Sequence, residues 1–193
     1  MRRTISTFVL ILVLATAAFA ADTYVVDPAH SAVGFTVRHL AINKVSGNFK
    51  EFEATIIFDE KDPSKCSVNG TIKTASVNTD NADRDKDLRG EGFFEVEKYP
   101  NITFQSTNVE KKGDQYLVTG KLTIKNVTKE ILLPVTVTGP VVAFGGKKRI
   151  GIAGSTTINR QDYGLTWSKT IEGVGLVVSD DVVLTINAEA SIQ

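Results

Sequence analysis

The sequence predicts an all-β domain whose strands roll into a barrel or stack as two sheets. Two patterns carry this. About eight short segments alternate apolar and polar residues, and almost nothing has the period of an amphipathic helix. Val33, Phe35 and Val37 alternate with Gly34, Thr36 and Arg38; near the far end Val182, Leu184, Ile186, Ala188 and Ala190 alternate with Val183, Thr185, Asn187 and Glu189. Side chains on a strand point to opposite faces in turn, so each segment has one apolar face to bury. A barrel of about eight strands is just wide enough to be filled by its own side chains or to hold one small ligand. That alternative frames the functional question.

Taken in order, the chain begins with an address. Arg2 and Arg3 precede the uncharged apolar run Phe8–Ala15, and Ala18-Phe19-Ala20 supplies small residues where a signal peptidase reads. Residues 1–20 are therefore expected to be a signal peptide cleaved after Ala20, leaving 21–193 as one exported domain. Tyr24–Asp27 reads as a short strand or as the start of the next, Ala32–His39. Gly47–Phe58, Cys66–Val77, Ile102–Val109, Tyr116–Ile124, Ile131–Gly139, Arg149–Asn159 and Val182–Ile192 follow. Asp62-Pro63-Ser64, Lys111-Lys112-Gly113-Asp114, Gly139-Pro140 and Gly145-Gly146 are turn signals between them. Such short connections favour antiparallel neighbours.

Two connections are longer. Thr79–Pro100 is dense in charge and then aromatic; Asp80 is expected to cap a short helix over Ala82–Arg89, and Gly90 to end it. Arg160–Asp181 carries Tyr163, Trp167, Ile171, Leu176 and Val177 without alternation. Long apolar loops of this kind serve as lids or covers.

Composition narrows the chemistry. The chain has 22 basic and 22 acidic residues, and removing Arg2 and Arg3 with the signal leaves 20 against 22, which offers nothing to a nucleic acid. Cys66 is the single cysteine of an exported chain, so no internal disulfide forms, and it reads as a small buried hydrophobe. His30 and Ser31 are sequence neighbours whose side chains diverge on an extended chain, and no Gly-x-Ser-x-Gly turn exists. His30 and His39 lack metal-ligand spacing, and the Asp83, Asp85, Asp87 series is interrupted by Arg84 and Lys86 and has no calcium-loop Gly or Glu. No metal, cofactor or catalytic set is expected. What remains is aromatic: Phe35, Phe49, Phe52, Phe58, Phe93, Phe94, Phe104 and Trp167 either fill the core or line an apolar cavity.

At these residues the chain resembles the YceI-like family. His30-Ser31, Phe35, Val37 and His39 match its opening motif, and Val45, Gly47, Phe49 and Phe52 its next strand. Asp85, Leu88, Phe93-Phe94, Tyr99-Pro100 and Phe104 follow its central signature; Gly120, Leu122, Thr123, Ile124 and Thr128 the next block; Arg160, Asp162, Gly164 and Leu165 its Arg-x-Asp-aromatic-Gly-Leu block; and Val178, Ser179 and Val182 its last strand. The resemblance implies a lipocalin-like, extended eight-stranded antiparallel barrel with a short helix in a long loop. It also implies a periplasmic binding protein for isoprenoid quinones, polyprenyl phosphates or similar long-chain amphiphiles, in transient contact with a membrane. Expected ligand contacts are Phe35, Val37, Phe49, Phe52, Phe94, Phe104 and Trp167, with His39, Arg160 and Tyr163 at the polar head. Asp87 stands where many members have His, Tyr163 where Phe is common, and Asn126 where a turn Gly is usual. An enzyme using His30, His39 and Asp162, or an interaction domain with a filled barrel, are the competing expectations. An edge strand of an incompletely closed barrel would also allow a homodimer.

Overall fold

The computed structural model describes residues 21–173 and 175–193, so the expected signal over residues 1–20 lies outside the described residues. Eight antiparallel staves close into a barrel. The first is β1 (Asp22–Val26) continued by β2 (Ala32–His39), and the second is β3 (Asn43–Phe49) continued by β4 (Phe52–Phe58). The third is β5 (Ser67–Lys73) continued by β6 (Val77–Asn78). Then come β7 (Asn101–Lys112), β8 (Gln115–Ile124), β9 (Val127–Val142) and β10 (Lys148–Asn159). A small hairpin, β11 (Thr170–Ile171) with β12 (Gly175–Leu176), stands outside the barrel before the last stave, β13 (Val178–Ile192). One edge of β13 pairs with β10; the other pairs with β2 and then with β1, where Tyr24 faces Ile192 and Val26 faces Ala190. That double pairing closes the sheet.

The interruptions have local causes. Pro28 opens a 3-10 turn, Pro28–His30, and Asp27 caps it by accepting the Ala29 N–H at 3.1 Å. Thus the short first strand is the start of the second, as the sequence allowed. The kinks of the second and third staves are bonded to each other: the Lys50 N–H donates to Ser76 O (3.1 Å), the Glu51 N–H to Ser76 Oγ (3.0 Å) and the Lys73 N–H to Glu51 O (2.9 Å). The Gly139-Pro140 turn signal is not a turn, because β9 runs through it to Val142 with a bulge opposite Arg149 and Gly151. Lys125 and Asn126 both have positive φ (49° and 64°), the mirror-image turn that suits a two-residue hairpin, so Asn126 serves in place of Gly.

The helix α1 (Ala82–Arg89) forms where expected, but Asn81 caps it and Asp80 does not. The Asn81 side chain accepts the Arg84 N–H at 2.9 Å, while Asp80 sits in the left-handed region at φ 57°. Cys66 is half-buried at the end of a 3-10 turn, its Sγ accepting the Asp59 N–H, and burial pushes its thiol up, away from reactivity. The inward side chains gather into two apolar clusters, one around Tyr24, Phe58 and Tyr116, the other around Phe35, Phe49 and Phe94, with Phe104 touching both.

Candidate functional site: an apolar tunnel

The interior of the barrel is not filled. A cavity of about 880 Å³ runs between the two clusters, within the size range of ligand sites. Period-two alternation builds its wall: on β4 Phe52, Ala54, Ile56 and Phe58 face inward while Glu53, Thr55 and Ile57 are exposed.

Two glycines keep the tunnel open. A Cβ on Gly47 would lie 2.5 Å from Phe35 Cζ and 2.7 Å from Thr79 Cγ2, so the Phe35 ring rests on the bare backbone of β3. Phe104 lies over Gly120 of β8 in the same way, too close for any side chain there. Each ring is thereby drawn against the wall and away from the axis.

One end is plugged. The Tyr24 and Phe58 rings meet edge-on at 6.5 Å and Phe58 and Tyr116 at 5.6 Å, with Tyr24 wholly buried beyond the cavity. At the other end the wall turns polar, where α1 contributes Arg84, Lys86 and Asp87. The helix is held down by buried Asp85, which accepts from the Thr79 N–H (2.8 Å) and Oγ1 (2.6 Å). Arg89 reinforces it by donating to the Ala75 and Val77 carbonyls. The two long loops clasp across this mouth. Trp167 stacks on Phe93 (5.5 Å between centroids, 28° between planes), and its backbone N–H donates to Gly92 O at 3.2 Å.

Nine of the ten expected contacts lie on the cavity wall: Phe35, Val37, His39, Phe49, Phe52, Phe94, Phe104, Arg160 and Trp167. Tyr163 does not. It is 2% exposed, packed behind the wall in the apolar cluster with Leu165 and Val182, and burial pushes its phenol up. The expectation that it touches a head group is corrected accordingly. Arg160 reaches the wall, but its guanidinium is committed: it donates to the carbonyls of Leu165 (2.5 Å), Trp167 (2.7 Å), Ser179 (3.0 Å) and Val178 (3.4 Å) and to the Asp180 carboxylate (2.9 Å). Those five bonds use all five donors an arginine has, so it shapes the loop around the mouth. Burial lowers its pKa, and Asp180 opposes that shift.

The acid–base set weighed from sequence does not assemble. His39 is on the wall, but exposed His30 is bonded to Asp27 (2.9 Å) beyond the opposite end of β2, and Asp162 is paired with Lys129 (3.5 Å). Asp27, His30 and Glu189 lie close together, and Arg149 meets the charge of both carboxylates. The His30 bond holds the Asp27 carboxyl below its usual range, and the same bond raises His30. Sequence reasoning placed no ligand contact on α1 and so missed Arg84 and Lys86 as wall residues; Asp87 it marked only as a departure from the family pattern. It also gave no role to Gly47 and Gly120, although glycine inside an alternating strand signals close approach of another group.

The YceI-like domain model matches residues 24–190. Protein YceI of Salmonella newport is 40% identical over 157 residues, 80% of this chain and 82% of that one. A solved structure of the Campylobacter jejuni YceI protein superposes with a TM-score of 0.71 at 32% identity, covering 98% of this chain and 99% of the other. A polyisoprenoid-binding domain from Saccharophagus degradans shares the fold at TM-score 0.66 and 18% identity, over 90% of this chain and 99% of that one.

Proposed function

The chain belongs to the YceI-like domain family, and on that premise we propose that it is a periplasmic binding protein that carries an isoprenoid lipid with its tail in the tunnel. The observation that carries this is the cavity itself: about 880 Å³, apolar along its length, stopped by aromatic rings at one end and polar at the other. Each CH₂ moved from water into such a wall gains roughly 0.8 kcal/mol. The head group then lies beside His39, Arg84, Lys86 and Asp87. Two cations and one carboxylate on α1 suit a neutral head such as a quinone, or a phosphate that turns away from Asp87. Binding rather than turnover is favoured because His30, His39 and Asp162 stand in three separate places.

Mass spectrometry of lipid extracted from the protein, expressed from its complete sequence and purified without detergent from the periplasmic fraction, tests this. A stoichiometric isoprenoid quinone or polyprenyl species is expected. Absence of any such lipid, together with no uptake of added quinone, refutes the reading.

A further inference from the structure

The tunnel mouth is continued outward by two hairpin tips lying side by side. The turn between β2 and β3 spans Leu40–Ile42, and the Leu40 N–H donates to Val177 O at 2.9 Å, just after β12. His39 pairs with Val178 beneath them, so the tips are fixed relative to the cavity wall, to which His39, Val177 and Trp167 belong. Leu40 and Ala41 both have positive φ (52° and 59°), a conformation non-glycine residues avoid, and the turn leaves Ile42 83% exposed. Ile171 (40%), Leu176 (36%) and Trp167 (37%) are exposed around it. The two positive φ values, with the Ile42 N–H donating to His39 O at 3.2 Å, are the turn geometry that closes the β2–β3 hairpin; the observation that bears on partners is that this turn holds Ile42 out in water.

Charge accompanies the apolar tips. Arg38 and Lys44 are direct cross-strand partners, an arrangement that repels, and Lys169 stands at the base of the other hairpin. None of the three has an ion-pair partner among the described residues, and Glu172 is the one acid within the β11–β12 hairpin. At the plugged end Val141 and Val142 are exposed too; there Lys148 is paired with Asp22 (3.0 Å) and Arg149 with Asp27 and Glu189, although Lys111, Lys112 and Lys147 have no ion-pair partner among the described residues. What sets the mouth apart is that its exposed aliphatic tips adjoin the opening of the tunnel. Exposed aliphatic tips flanked by unpaired cations are the chemistry of an interfacial membrane contact.

We propose that the two tips form a membrane-docking lip that seats the tunnel mouth on an anionic lipid bilayer. Ile42, Ile171 and Leu176 enter the boundary between headgroups and acyl chains, and Arg38, Lys44 and Lys169 face the headgroups. The lip takes its purpose from the carrier reading but is detected separately. The protein, expressed from its complete sequence and purified from the soluble fraction, is sedimented with phosphatidylcholine vesicles with or without phosphatidylglycerol. Binding to the anionic vesicles that weakens with salt is expected. Ile42→Ser weakens it about tenfold, and Lys44→Glu with Lys169→Glu removes the anionic preference. Unchanged thermal unfolding and unchanged uptake of a water-soluble short-chain quinone show that the variants are folded with an intact tunnel. No vesicle binding by the parent protein, or equal binding by the variants, overturns the lip while quinone uptake leaves the carrier reading standing. A dimer abolished by Ile42→Ser, in place of vesicle binding, assigns the tips to a second copy and also overturns it.

Discussion

Gly47→Ala puts the tunnel geometry to a direct test. The added methyl would sit 2.5 Å from Phe35 Cζ and 2.9 Å from Cε1, whereas ordinary contact begins at 3.4 Å, so the ring must retreat by about 1 Å. Thr79 Cγ2, 2.7 Å away, blocks a second direction, and Thr79 is anchored by Asp85 and Arg84. The space left to Phe35 is the cavity, on the side where its ring meets Phe49 at 5.8 Å. Overpacking of this kind costs about 1–3 kcal/mol, a fall in melting temperature of about 2–12 °C for a domain of this size. Tail affinity falls with it, because the displaced ring occupies the ligand's path. Binding is read from Trp167, the single tryptophan, which lies on the wall at the mouth. Gly151→Ala is the control: its nearest contact would be Thr138 Cβ at an ordinary 3.8 Å, so stability and binding should hold. Phe35→Leu in the Gly47→Ala background should restore part of both losses, a coupling that independent sites do not show. Parental stability and affinity in Gly47→Ala alone would refute the claim that glycine holds the ring off the axis.

Arg160→Met keeps an apolar stem but strips the donors from carbonyls of Leu165, Trp167 and Ser179 and leaves Asp180 without its cation. About 3–5 kcal/mol should be lost, read as a melting point lower by roughly 6–20 °C with red-shifted Trp167 emission; a change under about 1 kcal/mol would mean the loop holds itself. Tyr163→Phe should leave ligand affinity within about twofold, since the residue lies behind the wall, and a tenfold loss would return it to the head-group site. The Asp27–His30 bond raises His30 and lowers Asp27. Its stabilisation is therefore present when Asp27 is ionised and His30 protonated, fading as pH rises through the raised His30 value and as pH falls through the lowered Asp27 value. The melting temperature should be slightly higher at pH 6 than at pH 8, and His30→Gln should reduce that difference; an identical pH profile in the variant would dismiss the pair.

The barrel was legible because its signal is local. Period-two alternation survives in every long stave, and the longer connections announced themselves by charge and by loss of alternation. Two features escaped for physical reasons. The kinks between β3 and β4 and between β5 and β6 depend on bonds between residues far apart in sequence, Lys50 and Glu51 with Ser76, which no window around either segment contains. Tyr163 and Arg160 looked alike as polar residues in one loop, yet Arg160 reaches the wall and Tyr163 is packed behind it. Which side of a 3-10 turn faces the lumen is decided by the barrel and not by the turn. The helix cap moved by one residue because Asp80 is drawn into exchange with Asn78, whose amide donates to its carboxylate while accepting its N–H, both at 3.1 Å.

If the proposed carrier reading holds, the plugged end and the polar mouth together order its events. On that reading, a chain stopped at the Tyr24, Phe58 and Tyr116 rings would enter tail first, so its head would be the last part to leave a membrane and the part that stays beside α1. Tail burial in the tunnel and tail burial in a bilayer are worth nearly the same per CH₂, so the tail alone sets no direction of transfer. The decision falls to a few polar contacts at the mouth, where Arg84 is already bonded to Thr79 while Lys86 and Asp87 are exposed. Asp87→His would therefore act on choice of head and not on capacity. It should strengthen binding of a polyprenyl phosphate relative to a quinone of equal chain length, with the sharpest gain below the ordinary His pKa of about 6.5. If both ligands respond equally, α1 does not face the head and the orientation argued here is reversed.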